Sequence, residues 1–186
     1  MYYRIFSKIY ERAALKMCRD CRSFIPAGCR ILDLGCGSGI VGKNFQKYFK
    51  AELVGADIKD NRIFPLDFQI IDGKNLPFTT HSFDVVLINY VLHHAKERSW
   101  LLKEAKRVAR DKIIIYEDLA EGIFSGFFCK LHGVSYNFLF QKNKESGEFL
   151  NYENWKNLFD KSGLKLVFEK RAGNFPVKKQ MFVLGA

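Results

Sequence analysis

The sequence predicts an α/β protein built on a doubly wound sheet. Residues 30–34 read as a buried strand, residues 35–39 (Gly-Cys-Gly-Ser-Gly) as a tight turn, and residues 40–48 as the start of a helix. A strand, a glycine-rich turn and a helix N-terminus form the nucleotide-binding corner of this fold class. Residues 82–88 are almost continuously apolar, as expected of a parallel strand that is buried on both faces.

Length and composition fit one globular domain. The chain has 186 residues, of which 48% are hydrophobic, and single domains commonly hold about 100–200 residues. It contains no apolar run near the ~20 residues of a membrane span and no signal-peptide hydrophobic region, so we expect a cytoplasmic protein. We expect one domain over 1–186, with an N-terminal helical cap over 1–27 and an aromatic insert over 119–150.

The spacing of the glycines separates two kinds of nucleotide site. A dinucleotide fingerprint, G-x-G-x-x-G, would need glycine at position 40, which is isoleucine. The stretch Asp-Leu-Gly-Cys-Gly-Ser-Gly instead resembles the class I S-adenosylmethionine (SAM)-dependent methyltransferases, and later landmarks are similar to their type-11, quinone-biosynthesis-like branch. The resemblance implies SAM as the cofactor and a set of contacts in this turn: Asp33, Gly35, Cys36, Gly37 and Gly39.

An acidic residue lies near the end of the second predicted strand, residues 51–58. Asp57 follows Gly39 by 18 residues. An acid about 20 residues after the glycines can accept both hydroxyls of a ribose, because a carboxylate has two acceptor oxygens. The alternative is an ordinary turn aspartate, and the glycine turn upstream favours the ribose role.

Residues 72–78, Asp-Gly-Lys-Asn-Leu-Pro-Phe, are similar to the family's D-x-x-x-L-P-F signature. The resemblance implies that Asp72 takes the adenine amino group, that the backbone N–H of Gly73 faces the ring, and that Ile58 packs on the ring face. The alternative is an Asp-Gly turn followed by ordinary packing of Leu-Pro-Phe.

Polar residues follow the central strand at its carboxyl end, where ligands bind in open α/β sheets. Asn89 is a predicted cofactor contact, and residues 92–94 are similar to the family's L-H-H. An imidazole titrates near neutral pH, so His94 or His93 could take a proton from an attacking group; the alternative is an architectural role. Two histidines are too few for a convincing metal site, and we predict no metal.

Two acids and an aromatic segment follow the fifth predicted strand, residues 112–116. Glu117 and Asp118 could hold a cationic substrate or act as a base, or they could be solvated loop acids without a function. Residues 119–150 are rich in aromatic side chains, which suit an apolar or planar acceptor or a helical packing insert. A hairpin of strands at 164–170 and 180–184 resembles the family topology. The resemblance completes a seven-stranded, mostly parallel sheet with an antiparallel last strand.

The positive charge lies at the two ends of the chain. The net charge of the chain is +10. Residues 1–30 and 156–186 each carry seven Lys or Arg and two Asp or Glu, whereas residues 31–155 carry equal numbers of basic and acidic residues. Such ends can attract nucleic acid, anionic membrane or acidic substrates, or can simply keep the protein in solution. We expect residues 2–24 to form a helix with a basic stripe and an apolar face that includes Ile9, Ala13, Ala14 and Met17. Tyr2, Tyr3 and Phe6 are candidate substrate contacts if this helix forms a lid.

These observations predict methyl transfer from SAM to a small-molecule acceptor. The N/D-P-P-Y/F signature of amino methylation is absent after the fourth strand, and no proline precedes any of the five cysteines. Both absences weigh against nucleobase methylation. An RNA- or protein-directed methyltransferase and a non-catalytic SAM-binding protein remain open alternatives.

Overall fold

The computed structural model describes residues 7–73, 75–122, 125–129, 148–174 and 177–186. These residues form one seven-stranded sheet with helices on both faces. No helix within the described ranges is both long enough and apolar enough to cross a membrane.

The elements alternate along the chain as the sequence predicts. The helices are α1 Ser7–Cys21, α2 Ile40–Phe49, α3 Arg98–Val108 and α4 Tyr152–Lys161, with a 3-10 turn at Leu92–His94. The strands are β1 Arg30–Leu34, β2 Glu52–Asp57, β3 Asp67–Ile70, β4 Phe83–Asn89, β5 Ala109–Leu119, β6 Lys165–Gly173 and β7 Lys178–Gly185.

The sheet order is β3-β2-β1-β4-β5-β7-β6. The first five strands in this order run parallel to their neighbours, and β7 runs antiparallel to both β5 and β6. The predicted fold class is therefore confirmed, including the antiparallel last strand. Because the chain leaves β1 in one direction and returns to β4 on its other side, the carboxyl ends of these two strands form the ligand crevice of the fold.

Two apolar layers cover the sheet. Trp155 and Phe159 of α4 pack on one face with Leu102 of α3, and Phe45 of α2 packs on the other face with Met17 of α1. Successive residues of β5 alternate between the two layers, since Ile115 belongs to the first and Tyr116 to the second. The central strands are buried on both faces, which explains their nearly continuous apolar sequences.

Helix α1 differs from its prediction in its length and in its apolar face. The helix ends at Cys21 rather than at residue 24. The chain then turns, and the Phe24 N–H donates to the Cys21 carbonyl. Ile9 and Ala13 were predicted to face the core, but both are exposed, whereas Ala14 is buried.

The exposure of Ile9 follows from where α1 lies on the sheet. Lys16 bonds to the Ala172 carbonyl and Asp20 to Lys170, so α1 runs antiparallel to β6 and its N-terminus points toward the carboxyl ends of the parallel strands. At 1.5 Å per residue, the nine residues before Lys16 extend about 13 Å past Ala172. That half of α1 passes the edge of the sheet and has less core to contact.

Strand β5 is longer than predicted, since it continues from residue 109 to Leu119. It therefore includes Glu117 and Asp118, which were predicted to follow the strand at its carboxyl end. The predicted insert over 119–150 is described only at its ends, where residues 125–129 are helical and the Ala120 N–H bonds to the Leu150 carbonyl. Its central aromatic residues lie outside the described residues, as do Tyr2, Tyr3 and Phe6.

Candidate active site at the carboxyl ends of the strands

The glycine turn after β1 is built from backbone conformations that favour glycine. Gly35, Gly37 and Gly39 have φ angles of 76°, 49° and 76°, which L side chains rarely adopt. The Gly35 and Cys36 N–H groups both donate to the Ala56 carbonyl, at 2.7 and 3.2 Å, and so fix the turn to β2. A Cβ atom at Gly35 would lie 2.3 Å from Cγ2 of Val91. The turn therefore touches the segment that follows β4.

The Cys36 side chain points away from the crevice. Its sulfur lies 2.9 Å from the position of a Cβ atom on Gly55, and the residue is buried. Burial raises the pKa of this thiol, with the acids Asp33 and Asp57 adding to the effect. Cys36 thus belongs to the predicted turn, with its side chain as a packing group beneath it.

Asp57 is joined to the glycine turn by a hydrogen bond. Its Oδ2 accepts from the Gly37 N–H at 2.8 Å, and its Oδ1 accepts from the Ile58 N–H at 2.7 Å. An ionised carboxylate offers roughly four acceptor positions, so two positions are left for other donors. The structure thus brings together the acid and the glycines that sequence spacing paired.

An exposed shelf lies beside Asp57. Ile58 has 63% of its surface exposed, and a Cβ on Gly73 would lie 3.6 Å from Cγ2 of Ile58. The exposed Asp72 carboxylate accepts from the Asn75 N–H at 2.9 Å, and the Ile71 N–H bonds to the Asp57 carbonyl. An apolar side chain next to a backbone amide and a carboxylate is complementary to a planar base with an amino group.

Asp33 lies beneath the turn. It is 1% exposed, and its Oδ1 is 3.4 Å from Nδ2 of Asn89. Burial raises the pKa of Asp33 to about 7 and nearby Asp57 adds to this, while the Asn89 amide and the Gly42 backbone N–H oppose it. Both predicted contacts, Asp33 and Asn89, therefore meet each other below the crevice.

Sequence reasoning missed Gly42. A Cβ atom there would lie 2.9 Å from Oδ2 of Asp33 and 3.0 Å from side-chain carbons of Leu53 and Leu66. The available signal is a glycine in the first turn of a helix, where glycine is unfavourable unless packing requires it.

The turn after β4 is held by a buried carboxylate. Glu117 Oε1 accepts from the Leu92 N–H at 2.8 Å, and Glu117 Oε2 lies 2.5 Å from Nδ1 of His93. Both side chains have 0% exposure, and the His93 ring stacks on Phe149 at 4.5 Å. His94 is half-buried and its ring centroid is 4.0 Å from that of His93.

Asp118 is also buried, with 5% exposure. Its Oδ1 lies 3.1 Å from Nζ of Lys179, which also lies 4.6 Å from the centroid of the Tyr90 ring. Burial raises the pKa of Tyr90, and Asp118 and Glu117 add to this. The interpretation of Glu117 and Asp118 as solvated loop acids is therefore wrong, because the longer β5 buries both and gives each a partner.

Metal ligation finds no support in the part of the chain that is described. No group of three or more His, Cys, Asp or Glu residues there is placed to hold a metal ion. Cys18 and Cys21, which form a C-x-x-C pair in the sequence, both have 0% exposure and lie on the side of α1 that packs into the core.

Known proteins share parts of this sequence and its fold. Residues 32–116 match a family described as "Methyltransferase domain". The chain is 27% identical over 120 residues to a ubiquinone biosynthesis O-methyltransferase of Rhizobium etli, covering 58% of this chain and 48% of that protein. It is 35% identical over 119 residues to a malonyl-[acyl-carrier protein] O-methyltransferase of Legionella pneumophila, covering 57% and 41%. The chain thus spans less than half the length of these curated relatives.

A solved structure extends the likeness to nearly the whole fold. A SAM-dependent methyltransferase from Aquifex aeolicus superposes with a TM-score of 0.70 at 14% identity, covering 92% of this chain and 88% of that one. The superposition shows that this chain has the fold of that methyltransferase. The match over residues 32–116 confirms the predicted resemblance to class I methyltransferases of the type-11 branch.

Proposed function

We propose that this chain transfers a methyl group from SAM to a small-molecule acceptor. The observation that carries the proposal is the Asp57 carboxylate, hydrogen-bonded to Gly37 and flanked by the exposed Ile58. The two relatives are both O-methyltransferases by name, which supports a methyl acceptor outside nucleic acids.

The residues at this edge fit SAM. The space beside Gly37 is open, since a Cβ atom there would meet nothing within 4 Å. Asp57 would accept the ribose hydroxyls, Ile58 would cover a face of the adenine, and Asp72 and Gly73 would meet its amino edge. When bound, SAM supplies a methyl group already activated by a positive sulfur. The protein's task is therefore alignment and exclusion of water, with a base needed only for a protonated acceptor.

The two histidines differ in burial, and this difference suggests different roles. His93 is fully buried between Glu117 and Phe149, which suits a residue that fixes the turn. His94 is half-buried beside it, so it is the one of the pair that an acceptor can reach. We assign His94 as the candidate proton acceptor and His93, through Glu117, as a positioning residue.

Calorimetric titration with SAM and with its demethylated product tests the cofactor site. We expect Asp57→Ala to weaken binding by about 1–3 kcal/mol, because two ribose hydroxyls lose their acceptor. Asp60→Ala is the matched control, since Asp60 is exposed and pairs with Arg62. Unchanged affinity in Asp57→Ala, with the control also unchanged, would refute the ribose assignment.

The acceptor is then sought with labelled methyl in separate pools of small metabolites, RNA and protein. Label in the metabolite pool supports the proposal. Label in RNA or protein alone would refute the small-molecule acceptor while leaving methyl transfer intact. SAM binding without any labelled product would identify a non-catalytic SAM-binding protein.

A further inference from the structure

The outer side of α1 carries a basic face, which we define as Lys8, Arg12, Lys16 and Arg19. All four residues are exposed. With 3.6 residues per turn they lie opposite the side that packs on the sheet. The buried side consists of Ala14, Met17, Cys18 and Cys21.

Acidic residues do not neutralise the basic face. Among the described residues, Lys8, Arg12 and Arg19 form no ion pair, whereas Lys16 pairs with Asp20 at 2.9 Å. Asp20 also binds Lys170 at 2.5 Å, so it is shared between two lysines. Glu11 is half-buried and lies off this face. The face therefore presents net positive charge to whatever lies outside α1.

Apolar side chains flank the basic face on both sides. Ile9 is 64% exposed and Leu15 is 40% exposed, and the helical period places them on opposite borders of the basic residues. A phosphate backbone offers such side chains no apolar partner. The boundary between lipid headgroups and acyl chains accepts both cationic and apolar side chains.

The position of α1 relates this face to the candidate active site. Lys16 lies level with the carboxyl end of β6, through its bond to the Ala172 carbonyl. The helix continues for nine residues beyond that level, past the edge where Asp57, His94 and Glu117 lie. A surface that binds the outer side of α1 would therefore lie near the mouth of the crevice.

We propose that the basic face of α1, with Ile9 and Leu15, docks the protein on an anionic lipid bilayer. The proposal rests on a line of exposed cations, of which Lys8, Arg12 and Arg19 form no ion pair among the described residues, bordered by exposed apolar side chains. This inference goes beyond methyl transfer and does not depend on it. Docking would bring the crevice next to a phase in which an apolar acceptor concentrates.

Sedimentation with vesicles tests the proposal without SAM or an acceptor. The full chain is mixed with vesicles of phosphatidylcholine alone or of equal parts phosphatidylcholine and phosphatidylserine. We expect binding to the anionic vesicles only, weakened by added salt. Lys8→Glu with Arg12→Glu and Arg19→Glu should weaken that binding by about a hundredfold or more, at roughly 1 kcal/mol per basic residue.

A matched variant separates local from overall charge. Lys103→Glu with Lys161→Glu and Lys165→Glu makes the same change in net charge at exposed positions outside α1 and should bind almost as the parent does. Ile9→Ser should weaken binding severalfold at raised salt, whereas Ile70→Ser, at a 60% exposed position on β3, should not. Circular dichroism checks that all variants are folded.

Several results would overturn the proposal. These are no binding to anionic vesicles, equal loss in the two triple variants, or no effect of Ile9→Ser. Binding of a structured RNA that requires the basic face, in the absence of vesicle binding, would identify the face as a nucleic-acid surface instead.

Discussion

The two halves of the carboxyl edge are built in different ways. The half proposed to bind the cofactor lies at the ends of β1 and β2. This cofactor half uses backbone atoms: three glycines with positive φ and the N–H groups that bind Ala56 and Asp57. The half proposed to face the acceptor lies at the ends of β4 and β5. This acceptor half uses buried side chains, with Glu117 and His93 at 0% exposure. The first half is open, with Ile58 mostly exposed, and the second is closed.

This difference predicts different sensitivities. A backbone site tolerates many side-chain changes but fails where an added Cβ atom overlaps a neighbour. A site of buried polar side chains fails when one partner is removed, because the other is left without its hydrogen bond in a low dielectric. Substitutions that add a Cβ atom therefore test the cofactor half, and substitutions that remove a buried polar group test the acceptor half.

Glu117→Ala should have the largest effect. It removes the acceptor of both the Leu92 N–H and His93 Nδ1 in a fully buried place. Removing one partner of a buried pair costs about 3–5 kcal/mol of unfolding free energy, measured by urea unfolding. Asp118→Ala is the control and should cost less, because its partner Lys179 is 37% exposed. An equal loss in both variants would contradict the closed acceptor half.

Asp33→Asn should change the pH dependence of stability. Because the pKa of Asp33 is raised to about 7, the native carboxyl keeps its proton while the unfolded one loses it near pH 3.9. The unfolding free energy of the parent should then fall as pH rises from about 4 to 7, by up to about 4 kcal/mol. Asn cannot ionise, so the variant should lack this fall.

The control for Asp33 is an acid with the opposite shift. Arg62 lowers the pKa of exposed Asp60 to about 2, so its contribution is present above the ordinary carboxyl pKa and is lost only in stronger acid. Asp60→Asn should therefore leave the slope between pH 5 and 7 unchanged. Parallel curves for the parent and Asp33→Asn would show that Asp33 is not a buried neutral acid.

The cofactor half was largely predictable from sequence, and the acceptor half was not. The glycine spacing is a local sequence pattern that indicates a particular backbone turn, and the position of Asp57 relative to it can be read from the sequence. Strand β1 was also predicted with its observed bounds. The partner of His93 depends on how far β5 extends beside β4. The sequence pattern ended this strand at residue 116, so it gave no sign that Glu117 continues the strand and is buried beside His93.

The sequence also did not predict which residues are buried or exposed where an element extends past the sheet or packs closely on other elements. Ile9 fits the helical period of α1, but periodicity cannot show that this half of the helix passes the edge of the sheet. Glycine is required at position 42 because Asp33, Leu53 and Leu66, which belong to other parts of the chain, leave no room for a Cβ atom. These features depend on tertiary packing, for which one sequence carries no local signal.

Gly35→Ala tests the contact that joins the two halves. The added Cβ would lie 2.3 Å from Val91, at the start of the L-H-H turn. Gly28→Ala is matched in φ, at 75° against 76°, and its added Cβ would have no neighbour within 4 Å. The difference between the two variants isolates the overlap, which should cost about 1–3 kcal/mol of unfolding free energy. Equal losses would mean that Val91 moves freely and that the halves are independent.

His94→Ala should have the smallest effect on stability and on SAM binding. The ring is half-buried and contacts His93 at 4.0 Å, whereas the proposed cofactor contacts lie in the other half. We expect SAM affinity within about twofold of the parent and a stability loss of about 1 kcal/mol. His93→Ala should lose more stability, because it removes the histidine that lies 2.5 Å from the buried Oε2 of Glu117. Methyl transfer to a protonated acceptor should still fall about a hundredfold in His94→Ala, the lower end of the usual contribution of a general base. Unchanged transfer, with SAM affinity also unchanged, would remove His94 from the chemistry and leave the L-H-H turn with a structural role alone.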